Sequence, residues 1–502
     1  MLCYEAPTRP GDCGLLLEGT ISGTIYGLHV GRYHRMGLGV AEPISQDEVR
    51  GAIRHFESLG KVVSTYELTT PEVLAVQGRA LTALSPECGL PVHPRSDLAW
   101  LAKGSELLEG DHVPVAYQAH RNVPHMSCEP TDWEPALGHH LKEPYTKPHS
   151  GKAVLVDGVW QSPSTVRVRA MRRDAVQSLD DDLMERAIDA YVDGIPLPPR
   201  DLEPYTLHVA LTGHPDNVLV NPKDTSKSVG YTLGARGVTK KHAFKLQPDG
   251  RWEVHEELLD AVSRLHDEIS GDGPFTYPVV SATIKDEVYP ASKARAGKGR
   301  LFYVNDLADN TVQRQLLLPI MSHLTSHPLE SGVLTTINAA GPQWGALAEA
   351  LIKHGGERIL AGDQTSYDLR HNVMMRHYVN LFGKVAAKCG YSPADVRKCR
   401  RLLSRSLRYL VLLDGNWCLC SSGHTSGRSD TIVLNCVVLV LLNYYAVLRL
   451  YPRVHPRIIL LVVVTGDDSM TSVAPGYPLV TGLAMVEGFA EAGYIMTSSD
   501  KL

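Results

Sequence analysis

The 502-residue chain has no dominant charge: 50 Lys+Arg stand against 55 Asp+Glu, a formal net of −5. That balance excludes a histone-like polycation, so any nucleic-acid surface must be a local basic patch. Cysteine is sparse and odd in number, nine in all, scattered from Cys3 to Cys436 with no repeated spacing. A disulfide framework is therefore not expected, and a reducing cytosol fits better. There are no internal repeats, and the first residues, MLCYEAPTRPGDCG, lack the charged and apolar regions of a secretory leader. Apolar material is plentiful: 43% of residues are hydrophobic, which excludes global disorder. Length alone predicts about three domains.

One uncharged and strongly apolar run, TIVLNCVVLVLLNYYAVL from Thr431 to Leu448, approaches the length of a membrane span. Asn435, Asn443 and two tyrosines interrupt it, and Asp430 and Arg449 close it, so a buried helix in a large soluble core is predicted. Residues 1–40 read as short strands with Gly-rich turns, followed by an amphipathic helix over 46–60. From 61 to 165 periodicity is poor and Pro, Gly and His are frequent, as in linker or extended wrapping structure. Beyond 166, helices are predicted over 176–193, 253–269, 344–355, 371–389, 393–410 and 431–449, with apolar strands at 358–362 and 457–464.

The chemistry sits in carboxylates. In IILLVVVTGDDSMTSV, seven aliphatics from Ile458 to Val464 predict a buried strand, Gly466-Asp467-Asp468 a turn, and the β-prone run beyond it a second strand. On its own such a turn is a solvated Asp-rich tip. Adjacent like charges nevertheless repel unless a cation lies between them. Upstream, ERILAGDQTSYDLRHNV places Asp363 at a strand end and Asp368 just beyond it. Asp363 beside Asp467 would suit two hard divalent cations such as Mg²⁺, about 4 Å apart, in an in-line phosphoryl displacement.

Two further segments join them. In SSGHTSGRSDTIVLNCVVLV, Ser426-Gly427 make a flexible loop ahead of a helix, and Thr431 and Asn435, four apart, share one helical face. Facing Asp368, Asn435 could read a ribose 2′-hydroxyl; the plainer alternative is a capped core helix. In IKDEVYPASKARAGKGRLFYV there are four cations and no acid between Lys293 and Arg300. Lys285, Lys293, Lys298 and Arg300 would suit a loop gripping triphosphate, unless the run is simply solvated. The basic helix 393–410 would face RNA phosphates, unless it is simply a solvated surface.

In this order the segments resemble the motifs of viral RNA-dependent RNA polymerases of the picornavirus-like group. The resemblance implies an α/β (α+β) right-hand fold, with fingers at about 166–345 and 372–430 and a palm on strands near 358–363 and 457–475. Asp363 and Asp368 correspond to the first palm motif, Ser426, Gly427, Thr431 and Asn435 to the second, and Gly466 to Asp468 to the third. The basic block is similar to the fingers motif that holds phosphates. Thr225, Ser226 and Gly230, in TSKSVGY, match the motif that meets the incoming template. GYIMTSSDK resembles the fourth palm motif, whose lysine, here Lys501, is the family's general acid for pyrophosphate departure. The implied cofactor is a pair of Mg²⁺ ions, with Mn²⁺ as an alternative, held by Asp363, Asp467 and Asp468. The implied partners are RNA template and product, nucleoside triphosphates and, as relatives often use one, a protein primer. The implied place is a replication complex in the host cytoplasm, touching membrane only indirectly. Thr465 stands where many relatives carry Tyr, and Asp430 where they often carry Gly. The family's primer-grip motif and thumb would lie beyond Leu502, so a fragment of a polyprotein is expected, with an inert RNA-binding piece as the rival reading.

PTRPGDCGLLL and IYGLHVGRYHRMGLGVAEPI resemble the second half of a chymotrypsin-like viral cysteine protease, a small β-barrel half spanning 1–60. Cys13 would be its nucleophile and His29 the base of its glutamine pocket. The family's catalytic His and acid belong to the other half-barrel, so this piece is expected to be inactive, and a protease with a passenger domain is the weaker alternative. Residues 61–165 would link it to a polymerase over 166–502. Gln77-Gly78 is the expected processing site, ahead of Gln177-Ser178.

Overall fold

The computed structural model describes residues 179–498 apart from short breaks at 225–226, 236, 247–251, 274, 296–298, 336, 339–340, 366, 372–373, 414–415 and 421–422. Ahead of 179 it describes only residues 143–146 and short strands. The first four, Leu2–Tyr4, Leu16–Glu18, Ile25–Tyr33 and Leu38–Pro43, form one antiparallel sheet in the order first, fourth, third, second. The helix expected over 46–60 and the processing sites at 77–78 and 177–178 lie outside the described residues.

The molecule is built around the Thr431–Leu450 helix. It is long and apolar enough to cross a membrane, with a mean hydropathy of 2.1, yet 83% of that stretch is buried in protein. Being apolar on every face, it needs partners on every face. It packs against the Asp181–Gly194 and Gly482–Glu491 helices and the Leu460–Thr465 strand. The first of these partners is amphipathic, burying Met184, Ala187, Ile188 and Tyr191 at helical spacing. Its start is fixed by Asp180, whose carboxylate accepts from the Asp182 and Leu183 amides at 3.0 Å.

Two sheets flank this core. One has the order Leu460–Thr465, Asp468–Val473, Ile359–Gln364, Met496–Ser498, antiparallel throughout. One face of it buries Val462, Val464 and Val473 in the main core; the other carries Val463 and Met470 onto the Pro342–Ile352 helix. The other sheet has the order Leu301–Asn305, Val279–Ile284, Tyr409–Leu413, Asn416–Cys420, His112–Tyr117. Its parallel central pair, Val279–Ile284 with Tyr409–Leu413, joins segments about 130 residues apart in sequence. His112–Tyr117 as an edge strand, and Tyr145–Thr146 paired with Tyr289–Pro290, place two short pieces of the 61–165 region against the later chain.

Three expectations need correction. The strand predicted from Ile458 starts two residues later: Pro456 opens a helical turn, Pro456–Ile459, capped by His455 Nδ1 on the Arg457 amide, and Ile458 is 62% exposed. The helix expected over 393–410 is Pro393–Arg405, because Tyr409–Leu413 is claimed by the sheet. The Leu307–Ser326 helix was not expected. It is buried on all sides, carries Pro319, and includes Asp309, Asn310, Gln313 and Gln315 among its buried residues, so no amphipathic pattern announces it.

Candidate functional site

The site is assembled by strand register. Gly466 and Asp467 form the two-residue turn between Leu460–Thr465 and Asp468–Val473, closing on the pair Thr465 and Asp468. The first turn position has φ +67°, a left-handed conformation that favours glycine. Across the neighbouring strand pair, Gly362 faces Ser469. One step further along both antiparallel strands sets Asp363 beside Asp468, on the same face of the sheet. Asp363, Asp467 and Asp468 are all exposed. The Asp468 carboxyl is held above the usual carboxylate range by partial burial and by the charges of Asp467 and Asp363.

A cavity of about 810 Å³ opens at this point, lined by Asp363, Asp468, Thr465 and Ser469 with Trp344 and Met496 as apolar walls. The donors are carboxylate oxygens whose mutual repulsion a cation relieves, which suits a hard divalent ion. Among the described residues, no group of three or more His, Cys, Asp or Glu side chains forms a ready metal cage. Carboxylates are donors that Mg²⁺ takes one or two at a time, completing its shell with water and substrate phosphate.

Beneath the hairpin lies a buried polar layer. Cys436 accepts the Gly466 amide N–H and donates to the Val464 carbonyl, both at 3.3 Å. Burial pushes this thiol up to about 11, so it keeps its hydrogen. Tyr367, between Asp363 and Asp368 in sequence, donates its hydroxyl to the Asn435 carbonyl at 2.8 Å. His371, fully buried, reaches Asn435 Oδ1 with Nε2 and the Tyr494 hydroxyl with Nδ1, each at 2.9 Å. The rings of Tyr367 and Tyr494 lie 4.6 and 5.9 Å from that of His371. Asp368 opens a 3₁₀ turn, Asp368–Arg370, and its carbonyl accepts the His424 amide at 2.8 Å. Tyr367, His371, Tyr494 and Cys436 were missed in the sequence, where the only signal was three ring residues within the two palm-like segments.

The loop before the long helix is clamped from two sides. A Cβ at Gly427 would stand 2.2 Å from the Tyr303 carbonyl oxygen, so only glycine lets the loop lie this close to the Leu301–Asn305 strand. Ser426 Oγ accepts the Tyr303 amide, Asn310 Nδ2 donates to the Gly427 carbonyl, and Gln313 Oε1 accepts the Ser429 amide. The buried polar residues of the unexpected helix thus serve this loop. Asp430 makes no cap bond to the helix it precedes; its carboxylate instead accepts Arg428 Nε and NH2, both at 2.8 Å, with both side chains buried. Thr431 Oγ1 is spent inside the loop, donating to the Arg428 carbonyl at 3.0 Å and meeting His424 Nε2 at 2.9 Å. Burial, then the Arg428 and His371 charges, hold His424 well below the usual histidine range, so it is neutral.

The basic segment forms an arm at the end of the other sheet. Lys285 and Arg300 meet across it, amide to carbonyl at 2.8 Å, and both side chains clasp Glu287 at 3.2 and 3.4 Å. Lys293 is exposed on the short Ala291–Arg295 helix. Gly230 lies against Asp306, whose carboxylate accepts the Thr232 amide at 3.0 Å. On the basic Pro393–Arg405 helix most cations have protein partners: Arg397 pairs with Asp272 at the surface, Lys398 with Asp395 on the same helix, Arg401 donates to the Glu268 and Gly273 carbonyls, and Arg405, buried, pairs with Glu268 and Asp309. Thr225, Ser226, Lys298, Lys501 and Cys13 lie outside the described residues; His29 is on a described strand but its side chain is not described.

Fold and site together define a mixed α/β protein with a carboxylate hairpin seated on a buried helix. The family of viral RNA-dependent RNA polymerases matches residues 208–502, more than half of the chain, and this chain belongs to that family. The replicase polyprotein of Drosophila C virus (strain EB) is 20% identical over 484 residues, covering 91% of this chain and 26% of that polyprotein. That of Cricket paralysis virus is 23% identical over 471 residues, covering 87% and 24%. The genome polyprotein of Human parechovirus 5 is 27% identical over 254 residues, half of this chain and 11% of the relative. The chain spans about a quarter of the length of the first two polyproteins. Among solved structures, a Sicinivirus 3Dpol RNA dependent RNA polymerase is similar with a TM-score of 0.61 at 17% identity, over 76% of this chain and 75% of that one. At that identity the likeness is one of fold.

Proposed function

We propose that this chain is the RNA-copying part of a positive-strand RNA virus polyprotein and joins ribonucleotides on an RNA template. The observation that carries the reading is the register that sets Asp363 beside Asp468 at the tip holding Asp467. These carboxylates would hold two Mg²⁺ ions, or Mn²⁺, which when bound supply charge neutralisation at the attacking and leaving oxygens. In the reaction, the primer 3′-hydroxyl gives its proton to solvent and its oxygen bonds to the nucleotide α-phosphorus as the bond to pyrophosphate breaks. Lys501 donates a proton to the departing pyrophosphate.

The remaining residues divide the binding. Lys285, Lys293, Lys298 and Arg300 neutralise triphosphate; Glu287, held between Lys285 and Arg300, sets their spacing before nucleotide arrives. Asp368 and Asn435 face the ribose, with Ser426, Gly427 and Thr431 shaping the loop beside it. Thr225, Ser226 and Gly230 meet the template. The sheet holding the carboxylates is assigned to the palm and the five-stranded sheet to the fingers, its edge strand His112–Tyr117 coming from the 61–165 connection and the other four from the 166–502 domain. Ahead of a 61–165 connection, residues 1–60 are assigned to a protease half-barrel with Cys13 as nucleophile and His29 in its specificity pocket. The G-D-C-G segment of the sequence is what supports that assignment. Action in a cytoplasmic replication complex follows from the same reading.

The test is primer extension on an RNA template with the four nucleoside triphosphates and Mg²⁺. Incorporation is expected from the unaltered protein, and its loss on chelation or in Asp467→Ala, with RNA affinity within a few-fold of normal. No template-directed incorporation by the unaltered protein overturns the polymerase reading, and incorporation retained in Asp467→Ala overturns the site assignment.

A further inference from the structure

We propose that His371 is a positioning residue that fixes which end of the Asn435 amide faces the nucleotide, and thereby sets discrimination between ribose and deoxyribose. The inference rests on the polymerase reading and goes beyond it, because nothing in the spacing of Asp363, Asp368 and Asn435 includes His371. The carbonyl oxygen of a side-chain amide only accepts hydrogen bonds and the nitrogen only donates. Asn435 Oδ1 lies 2.9 Å from His371 Nε2, so Nε2 carries the hydrogen and donates it. In the arrangement observed, Nε2 donates to that oxygen and Nδ1 accepts the Tyr494 hydroxyl hydrogen, so turning the amide over would also require the ring to move its hydrogen to Nδ1. The ring thereby favours the oxygen as the end of the amide that meets it and leaves the N–H end for the nucleotide.

The imidazole is itself held. It is fully buried, its other nitrogen meets the Tyr494 hydroxyl at 2.9 Å, and Tyr367 packs edge-on against it at 4.6 Å. Tyr367 also secures the Asn435 backbone through its hydroxyl, so backbone and side chain of Asn435 are both fixed by the segment that carries Asp368. Tyr494 comes from a third segment, just ahead of the Met496–Ser498 strand that pairs with Asp363. Three separate stretches thus converge on one amide. An N–H donor held in this way can bond the 2′-oxygen while the Asp368 carboxylate accepts the 2′-hydroxyl hydrogen. A deoxyribose leaves both without partners, and that is the source of the discrimination.

The experiment compares kcat/KM for a ribonucleoside triphosphate with that for its 2′-deoxy analogue, in primer extension, for the unaltered protein, His371→Phe, His371→Gln and Tyr494→Phe. Equilibrium binding of ATP and dATP gives a second readout independent of chemistry. His371→Phe removes the donor, and the ribose preference is expected to fall about ten-fold, the weight of one hydrogen bond. His371→Gln, which keeps an N–H donor, restores most of it. Tyr494→Phe, nearly isosteric, loosens the ring and lowers the preference a few-fold. An unchanged ribose preference in His371→Phe or Tyr494→Phe overturns the inference, as does an equal loss on both sugars, the mark of a merely structural role. These outcomes are read against an unaltered protein that prefers ribose; one that neither incorporates nor binds nucleotide overturns the polymerase reading instead, and the inference with it.

Discussion

The thiol of Cys436 and the backbone amide of Gly466 are hydrogen-bonded at 3.3 Å, joining the long central helix to the turn that carries Asp467. The same sulfur donates to the Val464 carbonyl, so one side chain spans both sides of the hairpin tip. The helix that bears Asn435 and the turn that bears the carboxylates are thereby kept in fixed relation.

Cys436→Ala removes both bonds and leaves the Gly466 N–H without its partner. A drop of about ten-fold in incorporation is expected, corresponding to one lost buried hydrogen bond at the reacting centre. Cys436→Ser keeps a donor and an acceptor at the same place and should recover most of the rate. Steady-state primer extension checks both, and equal activity in all three proteins would show that the turn holds itself.

Arg428 and Asp430 form a buried bidentate pair inside the loop ahead of that helix. Removing one member strands the other charge in a dry site. Arg428→Leu should therefore cost about 3–5 kcal/mol of stability, while Arg428→Leu combined with Asp430→Leu should recover a large part of it. Chemical denaturation of the three proteins measures this. A single variant as stable as the parent would mean that water reaches the pair.

Asp306 is buried against Gly230 and Thr232, and desolvation raises its carboxyl from 3.8 to about 7. Between those values the folded protein binds a proton that the unfolded chain does not. Its contribution to stability is therefore fully present below about pH 4 and is lost as pH climbs towards 7. Asp306→Asn removes the titration, so the variant should gain on the parent by about 1.4 kcal/mol per pH unit across that window. Denaturant midpoints at about pH 5 and about pH 8 check the sign. Parallel profiles would place the titration elsewhere.

Much of the architecture was legible in local pattern. The Asp181–Gly194 and Glu256–Ser270 helices bury residues at helical spacing, and the uncharged 431–448 run could only be a helix surrounded by protein. Asp363, Asp467 and Asp468 stood out because Asp is depleted in strands and adjacent like charges repel unless a cation lies between them. The Leu307–Ser326 helix was illegible for the opposite reason. Its polar residues point into protein rather than water, since Asn310 and Gln313 bind the loop at Gly427 and Ser429 and Asp309 binds Arg405.

The amino-acid order by itself determined the amphipathic helices and the apolar strands, where the backbone must turn at Gly466, and which side chains carry charge. Those are local matters, decided by periodicity, conformational freedom and side-chain chemistry within a few residues. Only the tertiary structure decided that Asp363 stands beside Asp468, that Cys436 braces the turn, and that His371 and Tyr494 hold Asn435. Register between distant strands and packing around a fully buried helix depend on contacts across more than a hundred residues, and no local window of sequence contains them.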